Sequence, residues 1–580
     1  RLGRYQEALA DLAEVPETDR TVANWIALDV ARWAAGDGAR EETRMALSLV
    51  GDEKVRQLGW DLMPASLLAA GDSSGAEAAF WSALPSLSDP SRLAEAWDRV
   101  GVLRLARGDS SGAKGAFHGV LRASNSGLSG VRAAEHLLAL GFDSVGAALA
   151  GARALAGAGR HDDALRAYAE YEGLSPSPPS GSVQLARARS HLNLGQGGRA
   201  LALVEDLVGS DDPDLGAPAL ALQGLALRQL GRGGEVRAVQ DELVERFPER
   251  GEAVEILFNR ADALQNRGDR EGAIRGYRAT AEAGKAHNLA GLARMKLAQL
   301  FLAMGREEEA VGVYSAYQED FPEGRRWDEA GFWAGRTLLS LGREEEGQEA
   351  LQRVRVGTPL SYYAVLAGEL LGEAFDPGIS EARDSLSFPF FLREGLARVE
   401  RLKFMGLQEG AEWEVQALAA RLRTDGEKER RQNNLLRLAG ELNARGFTRE
   451  GINLGWELRR DGRSWDRDLL AAIYPFPYRG ILIQEARDRD ADPFLMAGLI
   501  RQESAFWLEA LSRADARGLM QVLPATGREL ARARGISGFQ ADVHLYVAEI
   551  NIHLGVAFFV DMRQRFGNDL PIILSAYNAG

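Results

Sequence analysis

The chain has 580 residues, far more than one hydrophobic core usually serves, so several domains are expected. Its 46% hydrophobic and 26% charged residues exclude a wholly disordered chain, and no apolar run approaches the roughly 18 residues of a membrane span. With no cysteine it holds no disulfide, thiolate zinc site or cysteine nucleophile, and a formal charge of −14 argues against a nucleic-acid partner.

The charge is uneven. From Ala471 to Gly580, 11 Arg face 12 Asp and Glu, a net of −1, so the first 470 residues carry −13. The chain opens on Arg1 rather than Met, and its last residues read as the middle of a domain. It is therefore expected to be a fragment, and the lack of a signal peptide says nothing about targeting.

Ala, Leu, Glu and Arg dominate the first two thirds, and alternating β-branched runs are scarce, which predicts helices. Glycines recur at a regular step. Gly3, Gly36, Gly71, Gly108 and Gly141 are separated by 33, 35, 37 and 33 residues. Gly159, Gly195, Gly231, Gly268, Gly305 and Gly342 follow at 36, 36, 37, 37 and 37. The step of 18 between Gly141 and Gly159 predicts one irregular hairpin. Each glycine follows an apolar stretch and precedes polar residues, as a helix C-cap does.

The residues after the glycine also repeat. Alanine stands five positions on, at Ala8, Ala76, Ala113, Ala164, Ala200, Ala273 and Ala310. An aromatic stands nine on, at Phe80, Phe117, Tyr168, Tyr277 and Tyr314. A small residue lets two helices approach, and an aromatic one turn later fills the space between hairpins. This resembles tetratricopeptide-like hairpins, which stack into a solenoid with a concave face suited to protein partners. These positions are read as core and given no ligand.

Gly-Asp-Ser-Ser-Gly at 71–75 and again at 108–112 matches the nucleophile-elbow pattern. Both copies sit at the same point of a helical repeat, so a turn with a helix N-cap is the expected reading. The seven histidines show no metal-binding spacing, so no metal and no cofactor is expected. From about Val356 to Asp468 the glycine step fades into a helical connecting region. Two prolines in Tyr474-Pro475-Phe476-Pro477-Tyr478 then mark a domain opening. The expected division is a repeat solenoid over 1–355, a connecting region over 356–473 and a further domain over 474–580.

Asp492 followed by Pro493 predicts a helix start, with a capping carboxylate and proline at the first position. Leu495, Leu499 and Glu503 lie four apart, and Glu503 is three beyond Ile500. Glu503 thus continues an apolar stripe, where desolvation raises a carboxyl pKa. That suits a general acid. It equally suits a buried glutamate bonded to a neighbouring backbone group or arginine, and the helix alone does not separate the two.

Gly518-Leu519-Met520-Gln521 comes 15 residues after Glu503, and Tyr577-Asn578-Ala579-Gly580 comes 74 after it. With Glu503-Ser504, Ser512 and Asn551-Ile552-His553-Leu554-Gly555 between them, this order resembles the catalytic domain of the soluble lytic transglycosylases, which share a goose-type lysozyme fold. The resemblance is strong over about 474–580 and architectural upstream. It implies an all-α chain: a tetratricopeptide-like solenoid, then a lysozyme-like, mainly helical catalytic domain, here C-terminally incomplete.

The resemblance also implies an enzyme of the periplasm or cell envelope. Its substrate would be peptidoglycan glycan strands, cut at the MurNAc–GlcNAc β-1,4 bond to leave 1,6-anhydro ends. Glu503 would act as acid and then base. Ser504 and Ser512 would orient Glu503 or the N-acetyl group. Gln521, Tyr577 and Asn578 would line the cleft. Met520 suits core packing equally, and Phe506 and Trp507 suit either core or sugar stacking. Three positions depart from the family pattern: Asp515 where Gly is common, Leu523 where Met is common, and Phe558 where Tyr is typical. Two alternatives stand beside this reading. One is a goose-type lysozyme hydrolysing the same bond, for which Asp515 could serve and Leu523 could not. The other is a non-catalytic glycan-binding repeat scaffold.

Overall fold

The computed structural model describes residues 2–16, 19–284, 287–374, 379 and 389–579. Among the described residues every regular element is helical, and the only β-type pairings are two isolated antiparallel bridges, Leu511 with Arg517 and Arg517 with Val522. The chain divides into two compact units, Arg1–Pro377 and Gly378–Gly580.

The first unit is a run of antiparallel helical hairpins, such as Pro90–Ala106 with Ser110–Ala123 and Trp327–Ser340 with Glu344–Gly357. The recurring glycines explain the turns. Gly71, Gly108, Gly141 and each of the six from Gly159 to Gly342 hold φ between 71° and 83°, which an L side chain resists. Gly3 and Gly36 are the exceptions: Gly3 stands inside the first turn of the helix Leu2–Ala13 and caps nothing. Gly36 differs in another way. It ends the helix Arg20–Gly36, and the left-handed residue is Gly38, two positions later. Ala8, in the first helix, is only half-buried. The repeated alanines from Ala76 to Ala310 are all fully buried, and the aromatics that follow them are at most 3% exposed. They are core, as their spacing predicts.

Both Gly-Asp-Ser-Ser-Gly segments are helix starts. Asp72 accepts a hydrogen bond from Gly75 N at 2.8 Å, and Asp109 does the same from Gly112 N at 2.8 Å. Helices precede and follow each copy, so there is no strand for a nucleophile elbow.

The second unit begins with two more hairpins, Phe390–Phe404 with Gln408–Arg423 and Lys428–Ala444 with Thr448–Arg460. Their turn glycines, Gly406 and Gly446, again hold positive φ, but they stand 40 residues apart, which is why the sequence step fades here. A single hydrophobic core then gathers Ile452 with Leu482, Met496, Ile500, Met520, Ile552 and Tyr577. Trp456 packs against that core as well. The core therefore reaches upstream of Tyr474 and backs the helix that carries Glu503.

Candidate active site

The helix Pro493–Ser504 starts as its sequence dictates. Asp492 accepts from Phe494 N at 2.8 Å, and Pro493 fills the first turn, where a missing N–H costs nothing. Met496 and Ile500 are fully buried, and Glu503, one turn beyond Ile500, is half-buried at the edge of the stripe. Burial pushes its carboxyl above the ordinary carboxylate value. No hydrogen bond or ion pair from another described residue reaches that carboxyl. The stripe thus delivers a desolvated, unpartnered acid, and the alternative of a glutamate paired with an arginine does not hold.

The helix ends abruptly. Ala505 and Phe506 both take left-handed conformations, with φ of 48° and 62°. Non-glycine residues seldom do this, and a pair in succession persists only where the surroundings impose it. The turn sends Phe506 into the core. Trp507 remains 42% exposed, with the Arg449 guanidinium 4.4 Å from its ring centroid.

Residues 510–522 form the second wall. Ser512 Oγ accepts from Ala514 N at 3.2 Å and Ala516 N at 3.0 Å, leaving its own hydrogen free to donate. Asp515 holds φ of 67°, a left-handed conformation that glycine adopts most readily and aspartate tolerates. Its carboxylate turns to Arg517, 2.9 Å away, which also pairs with Asp542. Gly518 must be glycine: a Cβ there would lie 2.2 Å from Leu545 O and 2.3 Å from Asn551 Nδ2.

Asn551, fully buried, fastens this loop. Its Oδ1 accepts from Met520 N at 2.8 Å, and its Nδ2 donates to Arg517 O at 2.9 Å and Leu545 O at 2.8 Å. Gln521, with φ of 49°, spends its Nε2 on Gly518 O at 3.0 Å and Ala510 O at 3.3 Å, which leaves Oε1 as an acceptor. Met520 is entirely core.

Tyr577 supplies the third side from the helix Leu570–Ala579. Its hydroxyl donates to Met520 O at 2.7 Å, and its ring tilts against Phe558 at 5.2 Å. Burial, then the nearby Glu503 charge, holds its phenol well above the usual range, so it stays protonated. Together these elements enclose a cavity of about 310 Å³ lined by Glu503, Ser512, Gln521, Tyr577 and Asn578. Gly580 lies outside the described residues.

Ser504 is not in the lining. Its hydroxyl donates to Leu519 O at 2.8 Å, with Ile500 O 3.2 Å away, so it ties the acid's turn to the loop. Leu523, Thr526 and Phe558 do line the cavity. The sequence carries no periodic signal for Thr526, which faces the cavity from the first turn of the helix Pro524–Ala533. Among the described residues no group of three or more His, Asp or Glu could hold a metal ion. Among the described residues no helix is long and apolar enough to cross a membrane.

A repeat array followed by a small helical unit, with one desolvated carboxyl in a cleft of amides and hydroxyls, defines the lysozyme-like class. Residues 481–580 match the family described as Transglycosylase SLT domain. Residues 145–253 and 254–360 each match the tetratricopeptide repeat family. The soluble lytic murein transglycosylase of Escherichia coli (strain K12) is 26% identical over 260 residues, which is 44% of this chain and 38% of that protein. The membrane-bound lytic murein transglycosylase C of Histophilus somni (strain 2336) is 35% identical over 108 residues, 17% of this chain and 30% of that protein. The chain thus covers well under two thirds of these relatives. The crystal structure of the 70 kDa soluble lytic transglycosylase from Escherichia coli superposes with a TM-score of 0.59 at 15% identity, over 96% of this chain and 89% of that one. The fold is therefore that of a tetratricopeptide-like array with a lysozyme-like domain.

Proposed function

We propose that the protein is a lytic transglycosylase of the bacterial cell envelope, cleaving the MurNAc–GlcNAc β-1,4 bond of peptidoglycan. The observation that carries this reading is the cavity's carboxyl inventory: Glu503 is the only carboxylate among the residues that line it. A glycosidase with two carboxylates can assign one to the leaving group and the other to water or to C1. With one, the same group must act twice.

Glu503 is protonated first, as its burial favours. It gives its proton to the glycosidic oxygen as the C1–O bond breaks, and the GlcNAc 4-hydroxyl leaves. The carbonyl oxygen of the sugar's own N-acetyl group stabilises the positive charge at C1. Glu503, now ionised, takes the proton from the C6 hydroxyl while O6 bonds to C1. The product is a 1,6-anhydro end, no water is consumed and the acid is regenerated. Ser512 and Asn578 offer donors, and Gln521 Oε1 an acceptor, for the acetamido group and ring hydroxyls.

Hydrolysis of the same bond would need a group to activate water. Asp515 is occupied by Arg517 and lies outside the lining, and Leu523 cannot serve. In the proposed division of labour, 474–580 holds the chemistry, 356–473 connects, and 1–355 takes protein partners. The relatives' names, soluble and membrane-bound murein transglycosylases, support the envelope as the site of action. Mass spectrometry of muropeptides released from purified sacculi tests the reading. Anhydro ends support it, reducing ends indicate a lysozyme, and no release indicates a glycan binder.

A further inference from the structure

Nothing holds the Glu503 carboxyl directly, so its place in the cleft is set by the helical turn that carries it. That turn is the last of its helix and is followed by two left-handed, non-glycine residues. Such a turn frays unless neighbouring groups restrain it. On one side the restraint is Ser504, bonded to Leu519 O at 2.8 Å. On the other side stands Arg501.

Arg501 is half-buried, and no carboxylate among the described residues pairs with it. Charged side chains are rarely buried without a partner, because desolvation is costly. Here the guanidinium is met by other means. Its Nε donates to Ile473 O at 2.7 Å, a carbonyl at the end of the helix Arg467–Ile473. Its planar group lies 4.3 Å from the Tyr474 ring centroid and 5.8 Å from that of Trp456. Aromatic faces attract a guanidinium most strongly when water is excluded. Arg501 is absent from the residues that line the cavity, so the role argued for it is indirect.

We propose that Arg501 is a positioning residue for the general acid, keying the last turn of the Glu503 helix to the Trp456–Tyr474 segment. The proposal rests on the assignment of Glu503 as the acid. A cation without a carboxylate partner suits that role. An ion pair would fix Arg501 to one side chain, whereas a backbone carbonyl and two rings fix it to a surface. The helix end then cannot rotate without losing all three contacts.

The test uses the full chain with two substitutions. Arg501→Lys keeps the charge but loses the Nε–H and the planar fork. Arg501→Met keeps the stem without the charge. Both should lower kcat on soluble glycan chains by roughly 10–100-fold, the scale of a small misplacement of a reacting group, with KM unchanged. In Arg501→Lys the alkaline limb of the kcat profile should move to lower pH, because a loosened turn lets water reach Glu503. Tyr577 is the only other titratable side chain lining the cavity, and it stays protonated throughout.

Hydrogen exchange gives a readout that needs no turnover, and so separates this proposal from the assignment of Glu503. Amides of residues 501–505 should exchange about tenfold faster or more, while those of 527–533 keep their rate, because local opening leaves the rest of the core intact. Wild-type exchange and kcat in both variants would overturn the proposal. So would a raised KM with unchanged kcat, which would mean contact with substrate. A uniform rise in exchange, or unfolding of both variants, would equally overturn it, since Arg501 would then hold the fold rather than the turn.

Discussion

Tyr577 and Met520, 57 residues apart, are joined by a hydrogen bond from the phenol to the buried carbonyl at 2.7 Å. This bond closes the cleft. It fixes the aromatic wall to the loop that presents Gln521, while Asn551 holds the same loop from beneath through Met520 N. Tyr577→Phe removes the donor and leaves the Met520 carbonyl unsatisfied. A loss of about 1–3 kcal/mol in stability is expected, with a fall in kcat. Thermal unfolding and turnover on soluble glycan check both, and an unchanged melting temperature would remove the closing role from this bond.

Glu503→Gln should abolish turnover while the fold survives, because a neutral amide packs where a protonated acid does. Circular dichroism and digestion of sacculi decide it. Near-wild-type digestion would sink the assignment.

The pH dependence follows from the same burial. The folded-state pKa of Glu503 lies above its unfolded value. Between the two values the folded state binds more protons, so this group's contribution to stability falls as pH rises. Glu503→Gln should therefore be more stable than wild type at neutral pH, and the two should converge in acid. Denaturant unfolding at several pH values measures the difference. For activity the acid must begin protonated, so kcat/KM should decline as pH rises through the raised pKa.

Leu523→Asp should leave the anhydro product dominant. Leu523 lines the cavity, but one added carboxylate does not by itself order a water on the far face of the sugar. Product analysis checks this, and a clear switch to reducing ends would place water control at this position.

A chain beginning at Tyr474 lacks Ile452 and Trp456, which pack with the catalytic core, and lacks the carbonyl that Arg501 bonds. It is expected to be less stable and less active on soluble fragments than one beginning at Pro389. Equal activity of the two would show that the upstream hairpins are dispensable.

Much of this was readable in the residues. The glycine step and the alanine and aromatic that follow it gave the hairpins, because each marks a backbone or packing demand local to one repeat. Glu503 was legible because an apolar stripe at helical spacing ends on it. The loop was not. Gln521 adopts a left-handed conformation that its residue type does not signal, and Ser504 faces a backbone carbonyl rather than the cleft. Arg501 was equally silent, since its partners are a carbonyl and two rings that only the fold brings together.

The central claim is that one carboxyl performs both proton transfers and water takes no part. Digestion of purified sacculi in ¹⁸O-enriched water tests it most directly. The account predicts released muropeptides with 1,6-anhydro ends, each one water lighter than its reducing counterpart and free of label at C1. Reducing ends carrying ¹⁸O at C1 would contradict it.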